Sequence, residues 1–87
     1  MKNTSNIKTA NILFVDDEPS ILETLKRFMR NSQYRCSYAN SGAEALVIME
    51  NEMIDIVVSD MKMPEMTGAE LLSEVTRKYP ETIRIVL

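Results

Sequence analysis

The feature that most constrains the fold is an alternation of short apolar runs with longer amphipathic segments from residue 12 onward. Residues 12–15 form a continuous apolar run, which is typical of a strand buried on both faces of a parallel sheet. Residues 34–39, 54–59 and 83–87 are three further predicted strands. Strands that alternate with helices in this way predict right-handed βαβ units, with helices on both faces of a parallel sheet.

The first amphipathic segment predicts a helix that begins at Pro19, because proline is favoured at the first helical position. Its apolar residues recur at spacings of three and four, so we expect one face of this helix to cover the sheet. The predicted face consists of Ile21, Leu22, Leu25, Phe28 and Met29.

Two further helices are predicted from their N-terminal residues. Ser41 with Glu44, and Thr67 with Glu70, have the spacing of a capping box. The second helix is expected to end near Asn51. Its predicted buried stripe is Ala45, Leu46, Met49 and Met53, and that of the third helix is Leu71, Leu72, Val75 and Tyr79.

The composition fits one small domain and excludes several kinds of site. The 87 residues contain no His and one Cys, Cys36, so they supply neither a histidine-dependent nucleophile nor an intrachain disulfide. A net charge of −3 gives no electrostatic reason to expect nucleic acid binding. The longest apolar run, 45–49, is far shorter than the ~20 residues of a membrane span. We expect a cytoplasmic protein whose polar residues 1–9 form a disordered lead-in.

Acidic residues follow two of the predicted strands. Asp16 and Asp17 come directly after the first strand, and Asp60 comes directly after the third. Ligands of open α/β sheets bind outside the carboxyl ends of the strands, where the strand order reverses. Carboxylates that meet there would repel one another, suit a hard ion such as Mg²⁺, and include a possible nucleophile for a phosphoryl group. Taken singly, a pair such as Asp16 and Asp17 before a helix is more often an N-cap and a solvated neighbour, and Asp60 could equally be a turn residue.

Two segments carry a resemblance to a known family. Residues 14–19 read FVDDEP and residues 57–68 read VVSDMKMPEMTG, a pattern that resembles the receiver domain of two-component response regulators. The resemblance extends over residues 12–87. It implies a flavodoxin-like α/β fold, a parallel doubly wound sheet of strand order 2-1-3-4-5, which here ends after the fourth strand. Residues 10–87 would then be the receiver domain.

The resemblance also implies roles for individual residues. Asp60 would be the phosphoacceptor, taking its phosphoryl group from a sensor histidine kinase, a phosphotransfer protein or a small phosphodonor. Asp16, Asp17, Asp60 and the backbone carbonyl of Lys62 would bind Mg²⁺. The Lys62 side chain could lean over this site or be solvated. The phosphorylation state would control an attached output domain or a separate target protein.

The sequence departs from the family at its end. The resemblance implies a Ser or Thr directly after the fourth strand and a Lys after a fifth strand, whereas the 87 residues end at Leu87. We therefore expect an incomplete receiver, without the last helix, strand and helix. Its fourth strand would be an exposed apolar edge, and the chain would pair with a second copy there or be marginally folded.

Two other functions compete with this one. One is a receiver-like interaction or dimerisation module that is not phosphorylated. The other is an enzyme, such as an aspartyl-phosphate phosphatase of the haloacid dehalogenase type, which would have a second Asp two residues after the nucleophile. Lys62 stands at that position, so a signalling phosphoacceptor is favoured over a dedicated enzyme.

Overall fold

The computed structural model describes residues 9–87, so the predicted lead-in lies outside the described residues except for Thr9. Four strands and three helices alternate along the chain: β1 (Asn11–Val15), α1 (Pro19–Met29), β2 (Arg35–Ala39), α2 (Gly42–Asn51), β3 (Ile56–Ser59), α3 (Gly68–Lys78) and β4 (Ile83–Val86). The strands are all parallel, and their order in the sheet is β2-β1-β3-β4. The predicted α/β fold and strand order are thereby confirmed for the strands present. None of the helices within residues 9–87 has the length and apolarity that a bilayer span requires.

The register of the sheet brings the ends of β1 and β3 together. Val15, the last residue of β1, lies opposite Ala39 of β2 and Ser59 of β3. Because the strands are parallel, the segments that follow β1 and β3 leave the sheet at the same edge. The chain after Val15 and the chain after Ser59 therefore begin side by side.

The strands separate two apolar layers. Successive residues of β1 point to opposite faces, so Leu13 and Val15 pack with α2 and α3 while Ile12 and Phe14 pack with α1. The layer under α2 and α3 is the larger one, and the residues buried there include Leu13, Val15, Ala45, Met49, Val57, Leu71, Leu72 and Val75. This core holds β1 and β3 rigidly beneath the edge where they end.

The starts of α2 and α3 follow from their caps. The Thr67 side chain accepts a hydrogen bond from the backbone N–H of Glu70, whose carboxylate accepts one from the backbone N–H of Thr67, so this capping box is complete. Ser41 likewise accepts from the backbone N–H of Glu44. The Glu44 carboxylate instead accepts a hydrogen bond from the backbone N–H of Asn40, so the capping box predicted at Ser41 is only half formed.

Two predicted buried faces are partly wrong. Leu22 is the one buried residue of α1, whereas Ile21 is 41% and Phe28 84% exposed. On the same side of the sheet Ile83 and Ile85 of β4 are 58% and 42% exposed, since α1 is the one helix on this face within residues 9–87 and contacts β2. Met53 was expected in the buried stripe of α2 but is 86% exposed, because the helix ends at Asn51.

Candidate functional site

The three aspartates that follow β1 and β3 lie together. Asp16, Asp17 and Asp60 each offer a carboxylate oxygen, and these oxygens all lie within 4.8 Å of one another. Two backbone hydrogen bonds continue the sheet into the site: Asp16 N–H donates to Ala39 O at 3.1 Å, and Asp60 N–H donates to Val15 O at 3.0 Å. These two bonds anchor the cluster to the sheet. The aspartates are half-buried, so the cluster is also open to solvent.

A tight turn joins β1 to α1 at this cluster. One carboxylate oxygen of Asp16 accepts a hydrogen bond of 2.9 Å from the backbone N–H of Glu18, the N-cap residue of α1. Pro19 then begins the helix with its fixed φ. The turn places Asp17 just before the helix N-terminus, whose partial positive charge favours a carboxylate.

No side-chain cation neutralises the cluster within the described residues. Their two ion pairs, Lys26 with Glu23 and Arg77 with Glu74, both lie on helix surfaces. Three carboxylates that share one crevice without a protein cation repel one another. Carboxylate oxygens are the ligands that Mg²⁺ prefers, and the ion keeps several of its own waters, so a half-buried and open cluster fits it.

The loop between β3 and α3 folds back onto Asp60. The backbone N–H of Gly68 donates to Met61 O at 2.9 Å. A Cβ atom at position 68 would lie far inside van der Waals contact of Asp60 O and 3.0 Å from the Cα of Met61. Glycine at this position therefore permits α3 to begin directly against the backbone of Asp60.

Lys62 lies on the outer side of this loop. Its side chain is exposed and helps to line an apolar pocket of about 530 Å³, together with Met61, Met63, Pro64 and Thr67. It forms neither of the ion pairs found within residues 9–87. The geometry thus favours the solvated interpretation of the side chain, while the role of the Lys62 carbonyl stays a prediction.

The sequence analysis missed one residue beside the cluster. Ser59 is completely buried, and its hydroxyl donates a hydrogen bond of 2.9 Å to the backbone carbonyl of Asp60. The alternation along β3 could have revealed it, because a strand that buries Val57 also buries Ser59 two residues later. A polar residue at an inward position next to a candidate nucleophile is the signal.

Comparison with known proteins places this geometry in a family. A family model described as the response regulator receiver domain matches residues 12–87. The transcriptional regulatory protein GlrR of Escherichia coli is 38% identical over 80 residues, which cover 92% of this chain and 18% of that protein. The sensor kinase CckA of Brucella abortus is 40% identical over 82 residues, covering 92% of this chain and 9% of that protein.

Solved structures of receiver domains have the same fold as this chain. The signal receiver domain of an HD domain-containing protein from Pseudomonas fluorescens aligns with a TM-score of 0.88 and 30% identity, over 91% of this chain and 63% of that one. The chemotaxis protein CheY4 of Vibrio cholerae aligns with a TM-score of 0.85 and 31% identity, over 91% of this chain and 68% of that one. The chain therefore spans most of a receiver domain and a small part of its longer curated relatives.

Proposed function

Because this chain belongs to the response regulator receiver domain family, we propose that Asp60 is its phosphoacceptor in two-component signalling. The observation that carries the proposal is the convergence of three carboxylates within 4.8 Å at the carboxyl edge of β1 and β3. Receiver domains are signalling modules and not dedicated enzymes. The receiver unit would comprise residues 10–87 of the chain.

The metal ligands we propose are the carboxylates of Asp16, Asp17 and Asp60 and the backbone carbonyl of Lys62. Asp17 would bind Mg²⁺ directly, and Asp16 would bind it directly or through a water. Mg²⁺ held there supplies positive charge that offsets the carboxylates and the oxygens of an incoming phosphoryl group.

The phosphoryl transfer proceeds by attack of an Asp60 carboxylate oxygen on phosphorus. The new O–P bond forms as the P–N bond of a phosphohistidine breaks, and the imidazole leaves with a proton taken from solvent. The product is an acyl phosphate on Asp60. The backbone hydrogen bond from Asp60 to Val15 fixes the point from which the carboxylate projects.

The donor and the output follow from the family. The 87 residues contain no His, so a phosphohistidine would come from outside them, from a sensor histidine kinase or a phosphotransfer protein. The relatives named above are a transcriptional regulatory protein and a sensor kinase, so segments similar to this one occur in proteins of different kinds. We propose that this segment acts in the cytoplasm on an output domain or target protein, without binding nucleic acid or membrane itself.

A phosphorylation assay tests the proposal. The chain is incubated with Mg²⁺ and a small acyl phosphate or phosphoramidate donor, and intact-mass spectrometry detects the product. We expect a slow, Mg²⁺-dependent and base-labile gain of one phosphoryl group, which Asp60→Asn abolishes. The matched control is Glu50→Gln, which removes one negative charge from an exposed site on α2. An adduct that persists in Asp60→Asn would contradict the assignment.

A second candidate is pairing of the chain with a copy of itself through β4. Within residues 9–87, β4 pairs with β3 along one edge, and its side chains Ile83 and Ile85 are exposed. An open strand edge with apolar side chains is a template for another strand. Sedimentation of the chain at several concentrations measures this pairing. Dimers that dissociate in Ile85→Lys would support pairing through β4, and a monomer at every concentration would contradict it.

A further inference from the structure

We propose that Ser59 is a positioning residue for the acidic site. Its buried hydroxyl sets the orientation of the peptide between Asp60 and Met61, and through this peptide the direction of the Lys62 carbonyl. The part of this inference that concerns Mg²⁺ rests on the function proposed above. The part that concerns the backbone stands independently of it.

The environment of Ser59 explains why its hydroxyl must have a partner. The side chain is fully buried and points to the same face of β3 as Val57, into the apolar layer beneath α2 and α3. A hydroxyl in such a layer is costly unless it is hydrogen-bonded. Its partner is the backbone carbonyl of Asp60, at 2.9 Å. The core therefore holds the Ser59 hydroxyl in place, and this hydroxyl in turn holds the carbonyl of Asp60.

Both peptide groups that flank Asp60 are thereby held. On the amino side, Asp60 N–H donates to Val15 O at 3.0 Å. On the carboxyl side, Asp60 O accepts a hydrogen bond from the Ser59 hydroxyl. The same oxygen lies against Gly68, the first residue of α3, where a Cβ atom would clash with it. With its N–H and its C=O both fixed, Asp60 has little freedom in φ or ψ.

The consequence reaches the predicted metal ligands. The peptide plane after Asp60 sets where Met61 begins, and the hydrogen bond from Gly68 N–H to Met61 O at 2.9 Å holds the next peptide. In this proposal the two bonds together direct the chain that carries the Lys62 carbonyl. Removing the Ser59 hydroxyl leaves Asp60 O without that donor, which favours a change in the orientation of this peptide. Residues that orient metal ligands typically change metal affinity by about 10–100-fold when they are mutated. For Ser59→Ala we expect a loss at the lower end, about tenfold.

The experiment compares Ser59→Ala with Val57→Ala. Val57 is also fully buried, on the same strand and face, and it makes no side-chain hydrogen bond to Asp60. Three quantities are measured for each variant of the 87-residue chain: the ¹³C carbonyl chemical shift of Asp60 without metal, the dissociation constant for Mg²⁺ by calorimetry, and the urea midpoint of unfolding. Ser59→Thr, which keeps the hydroxyl, tests for rescue.

We expect Ser59→Ala to move the Asp60 carbonyl resonance upfield, as a lost hydrogen bond does, and to weaken Mg²⁺ binding about tenfold. Val57→Ala should lower the urea midpoint while leaving the carbonyl shift and the Mg²⁺ affinity unchanged, and Ser59→Thr should retain both native values. If Ser59→Ala changes only the urea midpoint, Ser59 is a core residue and the inference is wrong. If the native chain binds no Mg²⁺, the proposed metal site fails, while the carbonyl shift still decides whether Ser59 orients the Asp60 peptide.

Discussion

Replacing Gly68 by alanine should destabilise the chain more than the same replacement at Gly42, the other glycine. The new Cβ would meet the carbonyl oxygen of Asp60 and lie 3.0 Å from the Cα of Met61, so both obstacles are backbone. Either α3 or the segment after β3 has to move. We expect a correspondingly weaker Mg²⁺ affinity, because the backbone of Asp60 forms one side of the crowded contact.

The size of the loss can be worked out from the contacts. Overpacking of a close-packed site costs about 1–3 kcal/mol, and the upper half of that range applies because backbone yields less than a side chain. The lower entropy of alanine in the unfolded chain returns about 0.4–1 kcal/mol. The net loss is about 2 kcal/mol, which lowers Tm by roughly 10 °C in a domain of this size.

Gly42→Ala is the matched control, since Gly42 is the first residue of α2 as Gly68 is of α3. A Cβ at position 42 would meet the side chain of Met66, which can rotate away. We expect a loss below about 1 kcal/mol for this variant. Urea and thermal unfolding of the two variants measure the difference. Equal stabilities for Gly68→Ala and Gly42→Ala would refute the reasoning from the backbone contact.

Three further predictions concern single side chains. Glu65 has a φ of 68°, so Glu65→Gly should stabilise the fold by about 1 kcal/mol in urea unfolding, whereas Glu65→Ala, which keeps a Cβ, should not. Thr67→Ala removes the cap of α3 and should cost about 1 kcal/mol, while Thr76→Ala within the same helix should be close to neutral; equal losses would contradict the capping argument. Burial, followed by the charge of Cys36, raises the pKa of Tyr38 from 10.0 to about 12. The neutral phenol thus favours the folded state below pH 10, and this stabilisation is lost as the pH rises toward 12. Urea midpoints measured across this range should fall less steeply for Tyr38→Phe, and identical slopes would contradict the shift.

Local sequence patterns predicted the order of elements, the starts of α2 and α3, and the meeting of the aspartates. These features depend on interactions a few residues apart, or on the rule that parallel strands end at one edge of a sheet. Ser41 and Thr67 marked their helices because each cap acts within its own first turn. The approach of Asp17 to Asp60 was predictable because strand ends in register bring their following residues together.

Features that depend on what packs across a face were not predictable from one sequence. The periodicity of α1 is the same whether or not another element covers Phe28, so the pattern does not predict that Phe28 is exposed. The left-handed backbone of Glu65 was also missed, because glycine is the usual signal for that conformation. The hydrogen bond of Ser59 depends on the burial of its face of β3, which the position of Ser59 at the end of the strand does not indicate by itself.

The most direct test of the central claim locates the phosphoryl group itself. Borohydride reduces an aspartyl phosphate to homoserine, so the chain is treated with Mg²⁺ and a small phosphodonor, then reduced, digested and sequenced by mass spectrometry. We predict homoserine in place of Asp60 and at no other aspartate. Homoserine at Asp16 or Asp17, or none in the chain after prolonged incubation, would contradict Asp60 as the phosphoacceptor.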